Sequence, residues 1–117
     1  MELSVATRYQ DEHAVVTVEG EIDLQTAERL QRELSSLREA GAVSLIVDLR
    51  GVEFCDSTGV NVLLADLRRA RERGGALVLV EPRSVVLRVL RVTGLDSVFP
   101  VCDTVDDAIR QVAAGRH

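Results

Sequence analysis

The sequence contains no lysine and no tryptophan, and its aromatic residues are Tyr9, Phe54 and Phe99, only 3% of the chain. All fourteen basic residues are arginines, and nineteen acidic residues outnumber them, so the formal net charge is −5. Such a chain lacks both the positive field and the aromatic stacking surface that are typical of nucleic-acid-binding proteins. We therefore expect no direct binding to nucleic acid.

Long apolar runs and clustered cysteines are also missing. No run approaches the roughly 18 residues of a membrane span, and the first four residues do not begin the basic-then-apolar pattern of a signal peptide. Cys55 and Cys102 stand alone, without the CxxC spacing or the neighbouring histidines of a zinc site. These absences predict a cytoplasmic protein with two small buried thiols, no membrane association, no metal and no cofactor.

The sequence holds no recognisable catalytic motif. Its glycines form neither the GxGxxG nor the GxxxxGK pattern of phosphate-binding loops. Ser57 lacks the GxSxG context of a nucleophile elbow, because Cys55 stands two residues before it. A Ser-His-Asp triad would need a histidine, but His13 falls in a predicted hairpin turn and His117 in a predicted frayed end. We therefore expect that the chain is not an enzyme.

What the sequence does contain is a regular series of apolar segments in 117 residues, 46% of which are hydrophobic. Their spacing predicts strands at residues 3–8, 14–19, 43–49 and 76–80 and around 98–99, with helices after Asp23, at 57–73, at about 84–93 and after Asp103 or Thr104. The order β-β-α-β-α-β-α-β-α predicts an α/β fold with a mixed, mainly parallel sheet. We expect one domain, residues 1–117.

Residues 45–67 form the segment with the greatest functional interest. The apolar run at 45–47 predicts a buried strand, residues 51–55 a loop, and residues 57–67 the start of an amphipathic helix. Between loop and helix lies Asp56-Ser57-Thr58-Gly59. A small hydroxyl at this place can be a helix cap, a nucleophile or a phosphate acceptor, and Asp, Ser and Thr are common at helix starts whatever the function.

Two features favour a functional interpretation of this helix start. Gly59 costs on the order of 1 kcal/mol of helix propensity, and we interpret it as leaving the first turn bare for the approach of another protein's backbone. The helical period also places Thr58, Val62, Ala65 and Arg69 opposite the apolar stripe, as part of a contact surface. Asp23, before the first helix, has two interpretations: a helix N-cap or a contact with a partner.

Several of these motifs together resemble the STAS domain of bacterial anti-sigma factor antagonists. They are Asp56-Ser57-Thr58-Gly59 after the strand at 46–49, Gly20-Glu21-Ile22-Asp23 before the first helix, Gly74-Gly75 before the fourth strand, and Thr93-Gly94-Leu95 followed by Phe99. The resemblance runs from about Val15 to Ile109 and implies a STAS-like fold. Many members have a second serine where this chain has Thr58, which keeps the hydroxyl and is a second possible phosphate acceptor.

The resemblance also implies a function. In such proteins a partner anti-sigma factor, which is an ATP-dependent serine kinase, phosphorylates the serine at the position of Ser57. The unphosphorylated form binds that partner and frees a sigma factor, and a serine phosphatase resets the phosphorylated form. The residues implied to contact the partner are Glu21, Asp23, Asp56, Ser57, Thr58, Gly59, Val62 and Arg69.

Two other classes of function stay open. STAS domains also serve as scaffold or accessory subunits of stress-signalling or lipid-transport complexes without regulation by phosphate. The helix start alone is also compatible with an isolated nucleotide-binding module, although no other motif supports one.

Overall fold

A computed structural model describes residues 2–115 and confirms the predicted order of elements. The strands are β1 (Leu3–Gln10), β2 (His13–Ile22), β3 (Ser44–Cys55), β4 (Ala76–Val80) and β5 (Val101–Cys102). The helices are α1 (Ala27–Glu39), α2 (Ser57–Glu72), α3 (Ser84–Val92) and α4 (Val105–Ala113). The fold is therefore the mixed α/β architecture that the sequence predicted.

The five strands form one sheet in the order β1-β2-β3-β4-β5. The first pair is an antiparallel hairpin, and each of the other three neighbouring pairs is parallel. The hairpin turn has only two residues, Asp11 and Glu12, with positive φ angles of 51° and 67°. Such left-handed turns match the twist of the flanking strands, which explains the tight connection.

Apolar side chains cover both faces of the sheet. The larger cluster packs one face against α1, α2 and α3 and includes Leu45 and Val47, whereas the smaller cluster packs the other face against α4 and includes Ile46 and Val78. Alternate residues of β3 thus point to opposite layers, as the pleat of a strand requires. The sheet is covered by helices on both sides, which agrees with the continuous apolar run of β4.

The structure corrects the predicted ends of three strands. Residues 51–55, predicted as a loop, continue β3, and residues 20–22, predicted to break β2, pair with them in parallel. Gly20 allows this continuation because it adopts a φ of +106° at a register shift, where a Cβ atom would collide with the Glu2 carbonyl. β5 starts after Pro100 and not at 98–99, because Pro100 has no N–H to donate and Val98 belongs to a turn closed on Leu95.

A buried ion pair joins α1 to α2 at the end of the molecule away from residues 56–59. The Arg38 guanidinium donates two hydrogen bonds to the Asp66 carboxylate, at 3.0 and 2.7 Å, and both side chains are almost fully buried. Arg38 also donates to the carbonyls of Val43 and Ala76, where β3 and β4 begin. The guanidinium therefore holds together the C-terminal end of α1, the middle of α2 and two adjacent strands.

We expect Asp66→Ala to lower the free energy of unfolding by about 3–5 kcal/mol, because it leaves the Arg38 charge buried without its counterion. Urea denaturation followed by circular dichroism measures this loss. Arg32→Ala is the matched control, since the pair of Arg32 with Glu28 is about 70% exposed, and we expect a change below about 1 kcal/mol. A loss below about 1 kcal/mol for Asp66→Ala would contradict the prediction.

Candidate functional site

The extended pairing of β2 with β3 brings two separate motifs to one edge of the sheet. Glu21 lies beside Phe54 and Ile22 beside Cys55 in the parallel register. One step further, the Asp56 N–H donates a hydrogen bond of 3.1 Å to the Ile22 carbonyl. The segments Gly20–Asp23 and Asp56–Gly59, thirty-six residues apart at their starts, therefore leave the sheet side by side.

Asp56 is the N-cap of α2. Its backbone is extended, with φ −104° and ψ −174°, and its Oδ1 atom accepts hydrogen bonds from the N–H groups of Thr58 (2.9 Å) and Gly59 (3.4 Å). The carboxylate thus satisfies two of the N–H groups that have no partner within the first turn of a helix. The charge of Asp56 also complements the positive end of the helix dipole.

Ser57 is the first residue of α2 and is exposed to solvent. Thr58, the second possible acceptor, is half-buried. Of the two adjacent hydroxyls, the one on Ser57 is therefore the more accessible to another protein.

Gly59 has a different role from the one we predicted. It is buried, and a Cβ atom at this position would come within 2.6 Å of Ile22 Cγ2 and 2.8 Å of Cys55 Sγ. Contacts that close would force Ile22 or Cys55 to move. Gly59 thus leaves room for the chain's own β2 and β3 residues, and the interpretation that it keeps the first turn bare for a partner backbone was wrong.

Asp23 caps a turn that precedes α1. The helix itself begins at Ala27, with Thr26 as its cap residue. Asp23 Oδ1 accepts hydrogen bonds from the N–H groups of Gln25 (2.9 Å) and Thr26 (3.0 Å). Burial alone would raise the pKa of this carboxylate, but the hydrogen bonds from Thr26 and Gln25 lower the pKa by more. Asp23 therefore stays ionised and shapes the loop beside Ser57.

Val62 and Arg69 lie in the groove between α1 and α2 and do not face fully outward, which corrects the predicted orientation. Both are half-buried, and Arg69 Nη1 donates a 2.9 Å hydrogen bond to Ser35 Oγ on α1. They line a small cavity of about 70 Å³ together with Ala65 and residues of α1. The fully exposed face of α2 instead carries Ser57, Asn61, Ala65 and Arg68.

Two exposed apolar residues near the site were missed by the sequence analysis. Leu24 follows Asp23 and is 79% exposed, and Phe54, two residues before Asp56, is 39% exposed. Their neighbours include the exposed Glu53 and the half-buried Glu21. Single apolar residues occur both in the core and on the surface of folded proteins, so the sequence carried no signal that these two face solvent.

The chemistry available at the site does not include a nucleophilic thiol. Burial, and then the charge of Asp56, raise the pKa of Cys55 to about 11, so the thiol is neutral near pH 7. Within residues 2–115, no group of three or more His, Cys, Asp or Glu side chains is arranged to hold a metal ion. No helix in that range is both long and apolar enough to cross a membrane. The site therefore offers an exposed hydroxyl at a helix start, flanked by carboxylates.

Comparison with known proteins identifies the family of this fold. The family model described as the STAS domain matches residues 4–108. The chain is 35% identical over 106 residues to the anti-sigma-F factor antagonist RsfB of Mycobacterium tuberculosis, covering 88% of this chain and 84% of RsfB. It is 29% identical over 101 residues to the anti-sigma-B factor antagonist of Staphylococcus aureus, covering 86% of this chain and 94% of that protein.

Solved structures agree with these sequence matches. An anti-sigma factor antagonist from Mycobacterium paratuberculosis superimposes with a TM-score of 0.86 at 31% identity, covering 96% of this chain and 95% of that one. The similar proteins are named as antagonists of anti-sigma factors, which agrees with the prediction that the chain is a regulatory protein and not an enzyme. Fold, motifs and relatives together show that the chain belongs to the STAS domain family, among the anti-sigma factor antagonists.

Proposed function

We propose that this chain binds an anti-sigma factor that is also a serine kinase, thereby releases a sigma factor, and is switched off by phosphorylation of Ser57. The observation that carries the proposal is the position of Ser57, exposed at the first residue of α2 and next to Asp56, which is hydrogen-bonded to the last residue of β2. We further propose that residues 1–117 act in the cytoplasm as a single STAS domain, that a serine phosphatase restores the active form, and that neither nucleic acid nor membrane takes part.

The fold should tolerate a phosphate on Ser57. A phosphoserine adds about −1.5 to −2 charges, and the positive end of the helix dipole stabilises negative charge at this place by about 0.3–1 kcal/mol. The Asp56 carboxylate keeps its hydrogen bonds to Thr58 and Gly59, and its repulsion of the phosphate is screened by solvent. Phosphorylation should therefore change binding and leave the fold unchanged.

The surroundings of Ser57 explain how the phosphate would block a partner. Four acidic residues belong to the two segments that meet at the start of α2: Glu21 near the end of β2, Asp23 just after it, Glu53 near the end of β3, and Asp56 directly before Ser57. A partner surface that closes over the small hydroxyl must bury any phosphate added there. Basic groups of the partner that pair with Glu21, Asp23 and Glu53 are already engaged, so a dianion buried at Ser57 has no cation of its own. Burying it costs several kcal/mol, and every 1.4 kcal/mol is a tenfold loss of affinity.

The proposed contact surface is smaller than the set of residues that the resemblance implied. It is centred on Ser57, with Thr58, Glu21, Val62 and Arg69 around it. Asp23 and Asp56 contribute their charge, and their carboxylates also hold the two loops in shape. Gly59 acts beneath the surface, through its packing against Ile22 and Cys55.

We expect the cognate anti-sigma factor and ATP to place one phosphate on Ser57, which tandem mass spectrometry can locate. Ser57→Ala is the control and should take up no phosphate, because Thr58 is half-buried. Phosphate on Thr58 in the unsubstituted protein would contradict the assignment. Binding with no phosphorylation at all would favour a scaffold role instead.

We expect Ser57→Ala to bind the anti-sigma factor like the unsubstituted protein and to resist inactivation by the kinase and ATP. Ser57→Asp should bind about tenfold more weakly or worse, since it places a permanent charge at the switch position. Calorimetric titration measures both affinities, and urea denaturation should show an unchanged free energy of unfolding.

Ser84→Asp is the matched control for the charge, because Ser84 is likewise an exposed first residue of a helix, α3. It should bind normally. If Ser57→Asp bound as tightly as Ser84→Asp, the proposed switch would be wrong.

A further inference from the structure

The turn between β2 and α1 presents an apolar side chain to solvent. Leu24 is 79% exposed, the second highest value among the large hydrophobic residues that the structure describes. Single exposed apolar residues are ordinary on protein surfaces. Leu24 differs from an ordinary one in the rigidity of its turn and in the position of that turn beside Ser57.

Hydrogen bonds within the turn hold its backbone in one conformation. The N–H groups of Gln25 and Thr26 donate to Asp23 Oδ1, and the Ala27 N–H donates to the Asp23 carbonyl at 2.8 Å. The Asp23 N–H donates to Thr26 Oγ1 at 2.9 Å, and that hydroxyl donates to the Glu21 carbonyl at 2.7 Å. Leu24 therefore projects from a preorganised loop, and little entropy is lost when such a residue docks.

The same turn is anchored beside the phosphorylation site. Ile22, two residues before Leu24, accepts the hydrogen bond of Asp56, the residue before Ser57. Ile22 also packs against Gly59 in the first turn of α2, as the close approach of its Cγ2 shows. The turn that carries Leu24 is therefore attached to the start of α2, where Ser57 lies.

We propose that Leu24 is the apolar anchor of the interface, filling a hydrophobic pocket on the anti-sigma factor whose edge carries basic groups. The inference rests on the proposed function and adds which residue supplies affinity and what chemistry the partner site must have. The pocket is apolar because Leu24 has no polar atom in its side chain. Its edge is basic because Glu21 and Asp23 precede Leu24 in the same segment and Glu53 lies on the neighbouring strand β3, beside the residue that pairs with Glu21.

In this assignment, two kinds of residue at the surface contribute to the binding kinetics in different ways. A rigid apolar residue in a desolvated pocket slows dissociation, whereas exposed charges around it mainly speed encounter and depend on salt. Asp23 becomes a positioning residue in this scheme, since its carboxylate acts through the turn that holds Leu24. Phe54, also exposed, extends the apolar surface on the β3 side.

The test is the affinity of Leu24→Ala and Leu24→Glu for the unmodified cognate anti-sigma factor, measured by calorimetric titration with the full chain. Leu24→Ala removes most of a side chain that is buried in the complex, and this should weaken binding by about tenfold to a hundredfold. Leu24→Glu should weaken binding by more, because it puts a charge into an apolar pocket. Dissociation rates should rise more than association rates fall.

Val92→Ala is the matched control, because Val92 is 81% exposed on α3 and belongs to no part of the proposed surface. Its affinity should equal that of the unsubstituted protein. All three variants should keep the same urea midpoint, since both side chains are solvated in the folded state. If Leu24→Ala bound with an affinity within twofold of that of Val92→Ala, the assignment of Leu24 as the anchor would be wrong.

The outcome separates this inference from the proposed function. One possible result is that the unsubstituted protein binds, that phosphorylation of Ser57 abolishes binding, and that Leu24→Ala has no effect. In that case only the assignment of Leu24 as the anchor is wrong. If the unsubstituted protein does not bind the anti-sigma factor, both proposals are wrong.

Discussion

The parallel pairing of residues 19–22 of β2 with residues 51–55 of β3 is the constraint on which the site depends. It extends the sheet beyond the part that α4 covers and ends with the hydrogen bond from Asp56 to Ile22. Backbone hydrogen bonds are directional, so this ladder fixes both the distance and the relative angle of the two loops. The exposed hydroxyl of Ser57 and the turn at Asp23 thus have a common support in the central sheet.

Beneath that support, packing and capping at the start of α2 hold the helix in place without using the Ser57 side chain. Gly59 lets Ile22 and Cys55 approach the helix closely, while the Asp56 side chain satisfies the N–H groups of the first turn. The groups that hold the helix start in place therefore point inward or along the backbone. Ser57 is exposed to solvent, and none of these hydrogen bonds or close contacts involves its hydroxyl, so the proposed phosphorylation there leaves the fold unchanged.

A second attachment lies at the opposite end of the helix layer. Arg38 ties α1 to Asp66 of α2 and to the carbonyls where β3 and β4 begin. Helix α1 follows the turn that carries Asp23, and α2 begins at Ser57, so a shift of one helix against the other would move the two halves of the site apart. Buried ion pairs contribute little net stability compared with apolar packing; in this fold the pair sets the relative position of the two helices.

The sequence alone determined the order of the elements, the alternation of strands and helices, and the segment that carries the candidate phosphorylation site. These follow from apolar periodicity and from residues such as Asp56 and Gly94 that start or stop helices, all of which act over a few neighbouring positions.

Tertiary structure decided the rest. Whether residues 51–55 are loop or strand depends on a partner strand thirty residues away, and whether Gly59 faces a partner or Ile22 depends on how β2 approaches the helix. The exposure of Leu24 and the pairing of Arg38 with Asp66 likewise arise only when distant segments meet, because burial is a property of the folded surface and not of any local pattern.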